Sequence, residues 1–159
     1  MYTDEQFTEC AKKYMDTVFR VAFNYLKSHS DADDITQNVL LKLYQSKKSF
    51  ENESHLKHWL IRVAINECKR TLLSPWRKIE PLELLDDYAS TLEFKTPEQS
   101  ELFHNVMELP EKYRVAILLY YFEDYSIEEI SRLLRISKST AGTRLRRARE
   151  KLKLKLLEA

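Results

Sequence analysis

The residues of this chain best equipped for chemistry are cations, and they are concentrated at one end. From Arg135 to Ala159 there are nine Lys or Arg (135, 138, 144, 146, 147, 149, 151, 153 and 155) and two acids, Glu150 and Glu158. The whole chain of 159 residues carries 26 Lys and Arg against 25 Asp and Glu. Charge localised in this way within a balanced chain is what neutralising a row of phosphates requires. On a helix, Thr143, Arg146, Arg147 and Glu150 fall opposite a stripe of Ala141, Leu145, Ala148, Leu152 and Leu156. Arg144 and Lys151 flank one side of the polar face, and Arg149 and Lys153 the other. Basic residues at a helix C-terminus also complement its dipole, but that does not account for Arg144, Arg146 and Arg147, well before the end.

The elements that must position this face are legible just upstream. Ser126 and Glu129 form a Ser-x-x-Glu capping box, and Ile127, Ile130, Leu133 and Leu134 follow at helical spacing. A short turn leads to Ser137 or Ser139, either of which can cap the basic helix; the amides exposed at that start suit a phosphate oxygen. A short helix, a tight turn and a basic second helix form the arrangement that sets one helix in the major groove of DNA.

Further upstream, 31–44 reads as a helix with acids in its first turn and Ser30 or Asp31 as its cap. Ile35, Val39, Leu40 and Leu43 form its buried stripe, with Asp34, Gln37, Asn38 and Leu41 on or near the other side. A polar loop, 47–57, holds one aromatic, Phe50, and leads into a helix over 58–70 with Leu56, Leu60, Val63 and Ala64 directed to a core. A basic helix that opens on Trp59 beside a polar loop suits single-stranded nucleic acid, through base stacking and phosphate pairing.

Other chemistries are excluded. The acidic run at 31–34 lacks the glycine and closing glutamate of a calcium loop. His55 and His58 stand three apart, but no cysteine or acid completes a zinc site, so no metal is expected. No spacing among His29, His55, His58 and nearby acids makes a catalytic set, so neither an enzyme nor a cofactor is expected. One glycine rules out a glycine-rich phosphate loop, and with only four prolines the long periodic stretches predict an all-α protein. Cys10 and Cys68 have no metal or redox spacing and read as thiols of a reducing compartment. No signal-like or membrane-spanning apolar run is present, which predicts a cytoplasmic location. Between Glu80 and Glu101 lie seven acids and one base, with Pro81 and Pro97 inside the stretch and Pro75 before it. That composition predicts a linker over 74–96 between two helical domains, 1–73 and 97–159.

Taken in order, these motifs resemble an extracytoplasmic-function (group IV) sigma factor of the sigma-70 family. Asp33-Asp34-Ile-Thr-Gln37-Asn38-Val-Leu-Leu41-Lys-Leu-Tyr44 is similar to the family's polymerase-clamp-binding helix in region 2. His58-Trp59-Leu60-Ile-Arg62-Val-Ala64-Ile-Asn66 resembles the stretch that handles the −10 element. Leu109-Pro-Glu-Lys-Tyr-Arg114 with Ile117–Phe122 resembles the opening of region 4, and Ser126–Lys153 its helix-turn-helix. The resemblance implies a non-enzymatic initiation factor that binds core RNA polymerase (the β′ clamp helices and the β flap), promoter DNA and an anti-sigma factor. It places Asp34, Gln37, Asn38 and Leu41 against the clamp. Phe50, Asn52, His55, Trp59, Arg62, Asn66, Lys69 and Arg70 would serve the −10 element. Lys138, Ser139, Thr143, Arg144, Arg146, Arg147 and Lys151 would serve the −35 element.

The chain departs from the family at the turn, where a frequent glycine is Arg135, and at the start of the recognition helix, where Gly-Thr-Val is replaced by Ser139-Thr140-Ala141. Its one glycine, Gly142, stands where the family often has a longer DNA-facing side chain. A left-handed Arg135 is a modest cost, and Ser139 is a good cap. The alternative reading is a stand-alone helix-turn-helix regulator that binds a palindromic operator as a dimer. It leaves the 33–44 and 59–66 motifs without a role.

Overall fold

The computed structural model describes residues 3–74 and 96–158, with the backbone alone at 99–100 and 154–158. Every regular element among the described residues is a helix, and the helices fall into two compact units. The predicted linker lies outside the described residues apart from its ends, Ser74 and Thr96, as does the side chain of Leu156.

The first unit is built from three helices. α1 (Asp4–Leu26) starts at a capping box, in which the Thr3 hydroxyl accepts from the Gln6 amide at 3.2 Å and the Gln6 side chain accepts from the Thr3 amide at 3.0 Å. It stops at Lys27, which adopts the left-handed conformation with φ 53°. The next residue, Ser28, caps α2 (His29–Gln45) by accepting from the Asp31 amide at 3.2 Å. The cap is therefore not Ser30 or Asp31, which lie inside the first turn. The stop of α1 fixes the start of α2, because two residues join them.

α3 (Glu53–Leu72) is capped by Asn52, whose side chain accepts from the His55 amide at 2.8 Å. Residues 53–57, expected as loop, are its first turn, and His55 is helical. Their polarity marks a solvent-facing helix start, with Leu56 alone turned inward.

α1 packs on both α2 and α3, which also touch each other. The core includes Val18, Phe23 and Leu26 of α1, Ile35, Val39 and Leu43 of α2, and Leu56, Leu60, Ile61, Ala64 and Ile65 of α3. Each fully buried Leu, Ile, Val or Phe contributes about 1.5–3 kcal/mol. Leu40 and Val63, expected in this core, are only half-buried, because each lies at the edge of its helix's apolar stripe.

The second unit contains α4 (Pro97–Val106), α5 (Glu111–Ile117), α6 (Ile127–Leu134) and α7 (Lys138–Glu158). α5 runs on into one π-helical turn, Leu118–Phe122, where the Glu123 amide donates to the Leu118 carbonyl at 3.1 Å. α7 packs against α4, α5 and α6, and its predicted stripe of Ala141, Leu145, Ala148 and Leu152 is buried with Phe103, Ile117, Leu119, Ile130 and Leu133. Arg114 is part of this interior: it is buried and its Nη1 donates to the Leu109 carbonyl at 2.9 Å.

Candidate nucleic-acid and protein interfaces

The helix-turn-helix is fixed by local bonds that its sequence specifies. The capping box of α6 forms as expected: the Ser126 hydroxyl accepts from the Glu129 amide at 3.1 Å, and the Glu129 carboxylate accepts from the Ser126 amide at 3.1 Å. α6 ends in a Schellman motif. The Ile136 amide donates to the Ser131 carbonyl at 3.0 Å, and the Arg135 amide to the Arg132 carbonyl at 3.3 Å. That motif requires a left-handed residue, and Arg135 adopts it with φ 57° and ψ 45°. Ser137 then caps α7 by accepting from the Thr140 amide at 3.0 Å, while its own hydroxyl donates to Thr140 Oγ1 at 2.8 Å. Of the two serines considered, Ser137 is the cap, and Ser139 is exposed in the first turn.

With Ala141, Leu145, Ala148 and Leu152 buried, the outward face of α7 carries Ser139, Thr143, Arg146, Arg147 and Glu150. Lys138, Arg146, Arg147 and Lys151 are exposed, and Thr143 and Arg144 half-buried. Arg146 is paired with Glu150 one turn on, with Nη1 at 3.2 Å from the carboxylate. A cleft of about 300 Å³ lies beside the first turns of α7, lined by Lys112, Tyr113, Ser139, Thr140, Thr143, Arg144 and Arg147. Three cations and four hydroxyl side chains around a helix start suit an anion. Lys112 and Tyr113 escaped the sequence reading of this face, because nothing in their spacing tells which helix α5 will lie against. Gly142 is helical, and a Cβ there would meet open space.

In the first unit, α3 brings His55, Trp59, Arg62 and Asn66 onto one face at spacings of four, three and four residues, with Lys69 and Arg70 one turn further. Phe50 precedes the cap and packs on this row: its ring centroid is 5.3 Å from that of His55 and 5.5 Å from that of Trp59. Trp59 is half-buried, Asn66 and Arg70 are exposed, and Lys69 is half-buried. Arg62 is also half-buried, and its buried Nε has no hydrogen-bond partner among the described residues. The face offers aromatic rings, an exposed amide and a run of cations.

A second cleft, of about 260 Å³, adjoins that face, and half of its wall comes from α1. Phe50, Asn52, Glu53 and Leu56 line one side, and Glu9, Cys10, Lys13 and Tyr14 the other. Lys13 and Glu53 close an ion pair at 2.5 Å, and this bond holds the Lys13 ammonium above its ordinary pKa. Burial pushes the Cys10 thiol and the Tyr14 phenol upward, so both are neutral groups at neutral pH. The α1 residues were missed in the sequence; the available signal was their spacing, which puts them on one side of a helix.

α2 presents a different surface. Asp34, Gln37, Asn38 and Leu41 follow one another at three, one and three residues and are all exposed, with Leu41 at 52%. An apolar side chain that open to water, at the end of a polar row, fits a protein-binding surface better than a core. Among the described residues no group of acids, histidines and cysteines could hold a metal, and no helix is long and apolar enough to cross a membrane.

Comparison with known proteins relates both units to one family. Residues 10–78 match the model of sigma-70 region 2, and 105–152 that of sigma-70 region 4. The chain is 30% identical to the ECF RNA polymerase sigma-E factor of Haemophilus influenzae, over 94% of this chain and 87% of that one. It is 29% identical to RNA polymerase sigma factor SigV of Bacillus subtilis, over 92% and 89%. Among solved structures it is similar to CnrH, in complex with the cytosolic domain of CnrY, with a TM-score of 0.66 at 19% identity over 97% of this chain and 89% of that one. It is equally similar in fold to the sigma factor RpoE of Bartonella quintana, in complex with the anti-sigma factor NepR, with a TM-score of 0.66 at 21% identity over 96% and 97%.

Proposed function

The chain belongs to the extracytoplasmic-function group of the sigma-70 family, and from that membership we propose how its three surfaces, on α2, α3 and α7, work. It is a sigma factor: it binds core RNA polymerase and directs promoter recognition and transcription initiation. The observation that carries this reading is the occurrence of both family regions in order, each on its own compact unit.

The domain from 1 to 73 is region 2. Asp34, Gln37, Asn38 and Leu41 dock on the clamp helices of the polymerase, Leu41 burying its exposed side chain against them. The α3 face holds the non-template strand of the −10 element. Unstacking a base costs a few kcal/mol, and stacking on Phe50 and Trp59 at about 1–3 kcal/mol per base offsets it. Asn52 commits its carboxamide oxygen to the helix cap, which leaves its NH2 to donate to a base edge. His55 and Asn66 offer further polar contacts, and Arg62, Lys69 and Arg70 hold phosphates.

The domain from 97 to 159 is region 4, and α7 enters the major groove at the −35 element. Thr143 and Arg146 reach base edges, with Ser139 beside them. Lys138, Arg144, Arg147 and Lys151 hold phosphates. The stretch 74–96 joins the domains, and region 4 also meets the β flap. The factor has no catalytic step of its own, since RNA synthesis stays with the core enzyme. It works in the cytoplasm, where an anti-sigma factor holds it when it is free, a partner of the kind seen on RpoE of Bartonella quintana in its complex with NepR.

The test is to mix the full chain with core polymerase and transcribe a library of genomic fragments. A stoichiometric complex that initiates at a defined set of promoters is expected. A dimer that binds a palindrome and forms no complex with the core enzyme would overturn the reading.

A further inference from the structure

Among the described residues of the first unit, Glu67 is the one acid with less than a tenth of its surface exposed. It stands on α3 between Asn66 and Lys69, within the stretch proposed above to hold the promoter strand. A carboxylate there works against that role. Sheltered from water it is costly unless paired, and left bare it repels phosphates.

Two cations attend it. From the neighbouring helix α2, Lys42 Nζ makes a close ion pair with Glu67 Oε1. Arg70, one turn along α3, stands off: its Nη1 is 3.7 Å from the same oxygen and its side chain is 74% exposed. That separation is beyond a hydrogen bond. Glu67 is thus satisfied across the seam from α2, and Arg70 remains mostly in water.

We propose that Lys42 is a positioning residue for promoter binding: by neutralising Glu67 it leaves the Arg70 guanidinium available to a backbone phosphate. The proposal rests on the assignment of Arg70 to the promoter strand. Without Lys42, Glu67 has Arg70 as its remaining ion-pair partner, one side-chain rotation away. A sheltered carboxylate then takes up the guanidinium as a hydrogen-bonded pair, which outcompetes contact with a well-hydrated phosphate.

The experiment measures the salt dependence of promoter binding by the holoenzyme, on a fragment isolated in the transcription experiment. In the wild-type background, Arg70→Ala should weaken binding several-fold and lower the salt slope by about one unit. If it changes neither, Arg70 is no phosphate ligand, and that assignment falls together with the proposal. Lys42→Met, which keeps most of the aliphatic stem, should reproduce the Arg70→Ala loss, and adding Arg70→Ala to it should cost nothing more. Lys42→Arg should restore binding, as should Glu67→Gln in the Lys42→Met background. If instead Lys42→Met leaves the full effect of Arg70→Ala in place, Lys42 serves only the fold and the proposal is wrong. Thermal melts of the same variants separate a stability loss from this change, since loss of stability alone leaves the Arg70 effect intact.

Discussion

Arg149 is held by Tyr121: its Nε donates to the Tyr121 hydroxyl at 2.7 Å, and its guanidinium lies 5.6 Å from that ring's centroid and 5.2 Å from that of Tyr120. The π-helical turn at Leu118–Phe122 supplies both tyrosines. One of the nine cations at the end of the chain is thereby drawn to the flank of α7, away from the face of Thr143 and Arg147. Arg149→Ala should leave the salt slope of promoter binding unchanged, at a stability cost of about 0.5–1 kcal/mol for an exposed cation–π contact. Arg147→Ala, on the open face, should lower the slope by about one unit and weaken binding to every sequence alike. A slope reduced by both substitutions would add Arg149 to the phosphate ligands.

Arg146, proposed above to reach a base edge, is paired with Glu150 at 3.2 Å. A bidentate contact to a guanine edge is worth about 1–3 kcal/mol of discrimination. Arg146→Ala should therefore relax preference at one position of the −35 element while leaving preferences elsewhere intact. Promoter selection from a randomised −35 element measures this directly. Unaltered selectivity would remove Arg146 from the base-reading set.

Arg135 occupies a left-handed position that a Schellman motif normally gives to glycine. For a residue with a Cβ that conformation costs roughly 1–2 kcal/mol. Arg135→Gly should raise stability by about 1 kcal/mol, which is roughly 4–8 °C in melting temperature for a domain of this size. A calorimetric scan is the check. A melting temperature that stays level or falls would mean that the arginine side chain makes contacts that offset its strain.

Where one helix is enough to decide a feature, the sequence already showed it. The buried stripe of α7, the capping box at Ser126 and Glu129, and the exposed row Asp34, Gln37, Asn38 and Leu41 all follow from period and caps. Features that depend on two helices meeting were not legible. The start of α2 is set by where Lys27 stops α1, and the wall of the second cleft by the packing of α1 on α3. The first turn of α3 was read as loop because its residues are polar, although Asn52 is a good cap and marks the true start. Arg149 reads as one more cation until the π-helical turn brings Tyr120 and Tyr121 to it.

The α2 surface gives the sharpest separation of function from stability. Asp34 is exposed and Leu41 half-open to water, so neither side chain contributes much to the fold. Reversing an exposed charge typically changes stability by within about 0.5 kcal/mol. Replacing an exposed leucine by serine removes apolar surface that water already reaches, so Leu41→Ser should leave the melting temperature within a degree or two on the same principle. At a protein interface the balance differs. Truncating a side chain buried on binding costs more than 1 kcal/mol at central positions, and a mismatched charge adds repulsion. Asp34→Lys and Leu41→Ser should therefore each lower affinity for core polymerase by roughly tenfold or more, as a loss of about 1.4 kcal/mol implies. Fluorescence titration of core enzyme with labelled protein, beside thermal melts of the free variants, measures both quantities. Normal assembly by either variant would take that residue off the polymerase-binding face, and normal assembly by both would move the contact to another surface of the first unit.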